Sequence, residues 1–294
     1  EYNEEIAQIL KSSDKAEVRS SAISALSSLN YSKIEDVIKF GMEDKDRNVR
    51  TAAIGLLNKL NISKEALPAI VNPVFEKGSI QEQQQLLKTL GSMPADNTRV
   101  VLEDLVVKMI GDKLQPEVKL DLIEAVESTK KDDLIAKLEP IRGKGTETDS
   151  FKEALLGGNR WQGREVFLNN ATAQCIRCHS IGGEGGSVGP NLQKIGANLT
   201  REQILQAMIE PSARIAPGYG TVSLTLNDGQ EVSGILASEN SEELILKTSD
   251  AEPLRIPISR IKKRENFPSS MPPMGTILSK REIRDVVEFL ANMK

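Results

Sequence analysis

The segment Cys175-Ile176-Arg177-Cys178-His179 decides how the second half of this 294-residue chain is interpreted. It holds both cysteines and the only histidine of the chain, so the side chains that bind metals or cofactors through a thiol or an imidazole all occur within five positions. Random placement would produce this arrangement roughly once in tens of thousands of sequences of this composition. The cluster therefore indicates a chemical site.

Two cysteines separated by two residues and followed directly by histidine form the attachment pattern of a c-type haem. The thiols can bond the two vinyl groups of one porphyrin, and the adjacent imidazole then binds the iron. Two other kinds of site use similar spacing. A thioredoxin-like pair is expected after a strand and at the start of a helix, and a zinc site needs a fourth ligand, here a carboxylate. The sequence favours one covalent haem c, held by Cys175, Cys178 and His179.

The residues around this motif, from 151 to 294, resemble class I cytochromes c. The segment Gly163-Arg164-Glu165-Val166-Phe167 is similar to the N-terminal helix of that family. After a glycine-rich loop, Gly189-Pro190-Asn191-Leu192 is similar to the family's proximal loop. In the family the carbonyl of this proline accepts the second ring N–H of the ligating histidine, so the resemblance assigns that role to Pro190. A ligating histidine generally needs such an acceptor to fix its orientation.

The second axial ligand cannot be another histidine, because the chain has only one. The segment Ser270-Met271-Pro272-Pro273-Met274-Gly275 precedes the closing amphipathic helix, Ser279 to Met293, as the axial-methionine loop does in class I cytochromes c. We expect Met271, in the Met-Pro position, to be the iron ligand. Met274 and a site without a methionine ligand remain as alternatives. On the closing helix, Phe289 stands where the family has an aromatic residue that packs on the N-terminal helix.

Between a helix expected over Arg201 to Glu210 and this loop, the chain is longer than a compact cytochrome c requires. The apolar period changes to two from Thr221 to Glu265, with a hairpin turn at Asp228-Gly229. Five short strands are expected, the first around Val222, Leu224 and Leu226 and the others at Val232–Ala237, Glu243–Thr248, Leu254–Ile258 and Ile261–Arg264. They suggest a small barrel-like module, similar to Sm or SH3 folds, inserted at about residues 219–266. Such a likeness in fold does not indicate a function.

With this insertion the domain resembles a haem-binding domain family common in planctomycetes and verrucomicrobia. The resemblance also rests on Gly157-Gly158 and on the segments Ile209-Glu210-Pro211-Ser212 and Gly218-Tyr219, and it covers about half the chain. Members of that family often form the C-terminal part of larger secreted dehydrogenases, after a β-propeller and helical repeats. The resemblance therefore implies an attached or docked dehydrogenase as electron donor and a further redox carrier as acceptor.

The first 140 or so residues repeat an apolar pattern of helical period. Four sets share the offsets 0, 4, 5 and 8, and they begin at Val18, Val49, Glu82 and Val118, which are 31, 33 and 36 residues apart. The first two sets resemble the second helix of a HEAT repeat, whereas the third has Glu82 where valine is expected. Apolar stretches between the sets can supply the first helices. The pattern predicts about four helical hairpins in a short solenoid, which serves either as a spacer or as a docking surface.

A segment rich in glycine, threonine and charge, Arg142 to Asp149, separates the two patterns. The fold predicted is mainly α-helical, with two domains. A HEAT-like α-solenoid is expected over residues 1–145, and a monohaem cytochrome c domain that contains the inserted β module over residues 146–294.

Composition excludes two classes of partner. The formal net charge of -4 does not provide the basic surface of a nucleic-acid-binding protein, so Lys262-Lys263-Arg264 is interpreted as a solvated strand end. No run of residues approaches the ~18 apolar positions of a membrane span. Because the chain begins at Glu1 without a leader sequence, we expect a mature or excised form.

These features predict an electron-transfer module that performs no bond chemistry of its own, since no nucleophile, acid–base pair or phosphate-binding loop is visible. A haem peroxidase or a gas sensor remains as an alternative, and each requires an open sixth position on the iron. A protein-interaction scaffold with a structural haem is another. Family chemistry implies a periplasmic or cell-surface location, because bacteria attach haem through thioethers outside the cytoplasm.

Overall fold

Two units make up the chain in the computed structural model, which describes residues 2–142, 145–248 and 252–294. Contacts cluster within Glu1–Arg142 and within Gly143–Lys294. Gly143 and Lys144 of the predicted linker, and residues 249–251 of the predicted β module, lie outside the described residues.

The described part of the first unit contains nine α-helices with one shared hydrophobic core. They are α1 (Tyr2–Ser12), α2 (Ala16–Ser28), α3 (Ile34–Met42), α4 (Arg47–Leu56), α5 (Leu67–Lys77), α6 (Ile80–Ser92), α7 (Ala95–Ile110), α8 (Lys119–Ser128) and α9 (Asp132–Ala136). The 3-10 turn Leu57–Lys59 extends α4, and a second one, Pro116–Val118, precedes α8.

The even-numbered helices carry the repeat that the sequence predicts. Helix α2 packs on α4, α4 on α6, and α6 on α8, while α3 packs on α5 and α5 on α7. Two layers of helices, each contacting its neighbours in series, are typical of a solenoid. Val49 and Val118 are fully buried as expected, whereas Val18 is 36% exposed.

Glu82 takes the place of a valine in the repeat pattern and is nevertheless buried, with 2% of its side chain exposed. Its carboxylate accepts from Arg50 Nε at 2.6 Å and from the Ser79 hydroxyl at 2.7 Å, and Ser79 also caps the start of α6. Burial alone raises the pKa of Glu82, but the hydrogen bonds from Arg50 and Ser79 outweigh it and lower the pKa to about 2. The exception to the apolar pattern is therefore an ion pair that joins α4 to α6.

A second buried ion pair lies one repeat earlier. Arg19 donates through Nε and Nη2 to the two carboxylate oxygens of Asp44, at 2.7 and 2.8 Å. The backbone carbonyl of Asp44 accepts from Arg50 Nη1 at 2.7 Å. Arg19 and Arg50 each follow the first residue of a repeat set, so equivalent arginines connect successive helical pairs.

The second unit is helical around a separate core. Its α-helices are α10 (Arg160–Asn169), α11 (Cys175–Cys178), α12 (Ile195–Asn198), α13 (Arg201–Ile209) and α14 (Lys280–Ala291), with 3-10 turns at Thr148–Ala154 and Met274–Thr276. Helices α10 and α14 cross in close contact at Gly163, where an added Cβ would overlap the Asp285 carbonyl and lie 2.9 Å from Phe289 Cβ. The Phe289 ring lies 5.8 Å from that of Phe167. The closing aromatic residue thus packs on the N-terminal helix, as the sequence predicts.

Seven strands occur in the described part of this unit. They are β1 (Ser180–Ile181), β2 (Glu184–Gly185), β3 (Thr221–Leu226), β4 (Glu231–Glu239), β5 (Glu243–Lys247), β6 (Leu254–Pro257) and β7 (Ile261–Asn266). The small β1–β2 pair is not predicted by the sequence. The other five strands agree with the predicted ones to within two residues at each end, and they surround a core of their own.

The predicted barrel is not closed among the described residues. The sheet is antiparallel in the order β6-β5-β4-β3-β7, which leaves β6 and β7 as edges. After Ile261, every residue of β7 is exposed, and Lys263 and Arg264 form ion pairs with Glu265 and Glu239. Charged side chains on an edge strand disfavour further strand pairing, which accounts for an open sheet.

Candidate cofactor site

The Cys-X-X-Cys-His segment consists of one helical turn followed by an extended residue. Helix α11 begins after Gln174, whose φ of 47° is left-handed, and ends at Cys178. His179 has extended backbone angles. Side chains three residues apart on a helix lie on the same side, so the two thiols share one face of the turn. Cys175 is partly buried and Cys178 is exposed.

His179 is oriented by the residue that the resemblance assigns to this role. Its Nδ1 lies 2.9 Å from the backbone carbonyl oxygen of Pro190. A carbonyl oxygen can only accept, so Nδ1 carries the proton and donates, and Nε2 keeps the lone pair that binds a metal. The structure therefore brings His179 and Pro190 together in the arrangement that a ligating imidazole needs.

The glycine-rich loop folds back onto the motif. The N–H of Gly186 donates to the Ile176 carbonyl at 2.9 Å, and the N–H of Gly189 donates to the Cys178 carbonyl at 2.8 Å. A Cβ at Gly189 would lie 2.6 Å from His179 Cε1, closer than real side chains approach each other. Glycine at 189 thus allows the chain to pass beside the imidazole and to place the Pro190 carbonyl next to it.

The two candidate methionines differ in burial. Met274 begins a 3-10 turn, is 3% exposed and belongs to the core of the second unit. Met271 is partly buried and packs against the edge of the same core. The protein itself already surrounds the Met274 side chain, whereas Met271 keeps surface that a bound group can contact.

The arrangement fits haem c better than zinc or thiol redox chemistry. Among the described residues, no group of three or more His, Cys, Asp and Glu side chains could hold a metal ion. Cys175, Cys178 and His179 therefore do not converge as zinc ligands do. Burial raises the pKa of the Cys175 thiol, whereas a redox-active cysteine needs a lowered pKa. Helix α11 does begin at Cys175, as in thioredoxin-like sites, but the element before it is helix α10 rather than a strand.

Two serines beside the methionine loop were not anticipated by the sequence interpretation. The backbone N–H of Ser269 donates to the Ser212 hydroxyl, and the Ser269 hydroxyl accepts from the backbone N–H of Met271. Serines are frequent in loops and carry no spacing signal, so only the fold identifies these two.

In the part of the chain that the structure describes, no helix has the length and apolar character to cross a membrane.

Comparison with protein-family models gives two matches. Residues 3–72 match HEAT repeats, and residues 162–245 match cytochrome c. The chain therefore combines HEAT repeats with a cytochrome c domain, which confirms the predicted order, and such a domain implies covalently bound haem c. The second match includes the Cys-X-X-Cys-His motif and Pro190 but ends before Met271. No curated protein matches the chain.

Proposed function

We propose that this chain, in which HEAT repeats precede a cytochrome c domain, transfers electrons through a single covalently attached haem c. The observation that carries the proposal is the 2.9 Å contact between His179 Nδ1 and the Pro190 carbonyl. This histidine ends the only Cys-X-X-Cys-His motif of the chain, which has no other cysteine or histidine. One motif of this kind accounts for one haem.

Three side chains of the motif would hold the cofactor, and one backbone carbonyl would orient the histidine. The thiols of Cys175 and Cys178 would form the thioether links, and His179 Nε2 would bind the iron. The Pro190 carbonyl keeps the proton on Nδ1, which orients the ring and makes Nε2 more basic. Haem c bound here supplies a reversible one-electron couple at its iron.

Met271 is the second axial ligand in this proposal. Its position at the edge of the core supports this assignment over Met274, which is 3% exposed and serves as a core residue. A thioether ligand favours ferrous iron and raises the reduction potential relative to a second imidazole. It also occupies the position that oxygen, peroxide or carbon monoxide would need, which favours a carrier over a peroxidase or gas sensor.

The partners and location follow from the resemblance rather than from the geometry. An attached or docked dehydrogenase donates the electron, and another redox carrier accepts it. The site is periplasmic or at the cell surface, since cytochrome c domains of bacteria are typically extracytoplasmic. The HEAT repeats support a role as a spacer or docking surface between these partners.

The test is a redox titration of the full chain produced in a host that matures c-type haem, followed by visible spectroscopy. We expect a single one-electron transition, a weak sulfur-to-iron band near the red end of the spectrum when oxidised, and no ready binding of carbon monoxide when reduced. Rapid carbon monoxide binding by the unaltered protein would show an open sixth position and would contradict the carrier function.

A further inference from the structure

Two serines connect the β module to the loop that carries Met271. The backbone N–H of Ser269 donates to the Ser212 hydroxyl oxygen at 3.0 Å. The Ser269 hydroxyl oxygen accepts from the backbone N–H of Met271 at 3.1 Å. Ser212 precedes the module and Ser269 follows it, so these bonds run from the entry of the insertion, through its exit, to the ligand residue.

The sheet itself brings the two ends of the module together. Its first strand, β3, pairs with its last, β7, and Val222 lies opposite Asn266. The N–H of Phe267 continues this pairing by donating to the Thr221 carbonyl at 3.0 Å. The chain therefore leaves the module close to where it entered, and the insertion does not separate α13 from the methionine loop.

The backbone that follows Met271 offers few hydrogen-bond donors. Pro272 and Pro273 follow it, and proline has no backbone N–H, so these two residues cannot donate a hydrogen bond. The next fixed points are Pro273, whose carbonyl accepts from the Thr276 hydroxyl at 3.0 Å, and Met274, which is buried and whose carbonyl accepts from the N–H of Leu278 at 2.9 Å. The loop is thus held by the Ser269 hydroxyl at the Met271 end, and by Thr276 and the core at the Pro273–Met274 end.

We propose that Ser212 and Ser269 are positioning residues for the axial ligand, and that the β module clamps the loop from which Met271 binds iron. The inference rests on the proposed function, in which Met271 is that ligand. A rigid loop favours the sulfur over small molecules that compete for the same position, because less conformational freedom is lost when the sulfur binds.

The affinity of the protein for added imidazole measures how firmly the loop holds Met271, since imidazole competes with Met271 for the sixth position on the iron. Loss of one hydrogen bond of this kind changes an equilibrium about fivefold. In the haem-loaded full chain, Ser269→Ala is therefore expected to bind imidazole about fivefold more tightly and to show a weaker red band, with covalent haem content unchanged. Ser269→Thr keeps the hydroxyl and is expected to restore affinity and band.

Ser233→Ala is the matched control. The Ser233 hydroxyl bonds the Ser223 hydroxyl at 2.9 Å between β3 and β4, so this variant loses a hydroxyl hydrogen bond in the same module but away from the two ends. Neither imidazole affinity nor the band should change.

Ser212→Ala, at an exposed position that tolerates substitution, tests the entry of the module. We expect it to raise imidazole affinity and weaken the band, as Ser269→Ala does. A Ser212→Ala protein with the affinity and band of the parent would contradict the role of the module.

Met271→Ala distinguishes the assignment of Met271 as the iron ligand from the positioning role of Ser212 and Ser269. It should remove the band and bind imidazole most tightly of all variants. If it does so while Ser269→Ala equals the unaltered protein, the positioning role is wrong and the ligand assignment stands. If Met271→Ala leaves the band in place, the ligand assignment and the positioning role are both overturned.

Discussion

His179 Nδ1 and the carbonyl oxygen of Pro190, eleven residues apart in sequence, lie 2.9 Å from each other. This contact depends on Gly189, because a Cβ at that residue would lie 2.6 Å from the imidazole. Because Gly189 has no side chain, the Pro190 carbonyl can lie next to Nδ1. Nε2 is then the ring nitrogen that remains free to bind iron.

Gly189→Ala should displace the His179 ring and weaken its bond to iron. Changes beside a metal-bound histidine typically reduce ligand affinity about 10- to 100-fold, so the six-coordinate low-spin fraction should fall in the visible spectrum. Gly55→Ala is the control, since its Cβ would meet only Gln85 Nε2, at 3.8 Å. A Gly189→Ala protein with an unaltered spectrum would contradict the close approach.

Met271→Ala should change the haem spectrum, whereas Met274→Ala should change the stability of the fold. Loss of Met271 should remove the red band and open the iron to imidazole and carbon monoxide. Loss of Met274, which is 3% exposed, should lower the free energy of unfolding by about 2–5 kcal/mol and leave the band in place. Visible spectra and urea denaturation distinguish these outcomes. Loss of the band in Met274→Ala alone would assign the ligand to Met274.

Glu82→Gln should destabilise the solenoid in a pH-dependent way. The folded-state pKa of Glu82 is lowered from 4.5 to about 2, so its contribution to stability is complete above about pH 4.5 and is lost as pH falls towards 2. The substitution also leaves Arg50 without its carboxylate, and breaking such a pair costs about 3 kcal/mol.

Urea denaturation of the full chain, followed by far-ultraviolet circular dichroism, measures this difference. The free-energy gap between the parent and Glu82→Gln should shrink between pH 4.5 and 2. Glu65→Gln, which removes an exposed pair with Lys64, is the control and should have no measurable effect. A gap that stays constant over this pH range would contradict the lowered pKa.

The fragment of residues 1–142 should fold without haem, because its described helices share one hydrophobic core built from residues of this unit. We expect a strongly helical circular dichroism spectrum and a cooperative thermal transition. A disordered or β-rich spectrum of the isolated fragment would contradict the solenoid interpretation.

Much of the secondary structure follows from sequence periodicity, and the exceptions have physical causes. The five strands of the β module follow from apolar alternation and a turn at Asp228-Gly229, whereas closure of a barrel depends on edge strands that no local pattern describes. The buried Glu82 was visible only as a break in the repeat, because its partner Arg50 is 32 residues away.

The candidate site shows the same division. Cys175, Cys178 and His179 are specified by their spacing in the sequence, and the resemblance adds Pro190, which the structure places beside His179. Ser212 and Ser269 are 57 residues apart, and strand pairing alone brings them together. Contacts of this kind depend on the folded chain and have no local sequence signal.

One covalent haem per chain adds a fixed mass to the protein, so the intact mass of the purified full chain reveals whether the haem is attached. The chain should be produced with an export signal in a host that matures c-type haem, and the double variant Cys175→Ala, Cys178→Ala serves as the control. We expect a mass above that of the polypeptide by one haem, pigment that acid-acetone does not extract, and a colourless double variant. A colourless parent protein with the bare polypeptide mass and a bound zinc ion would contradict the attachment of one haem.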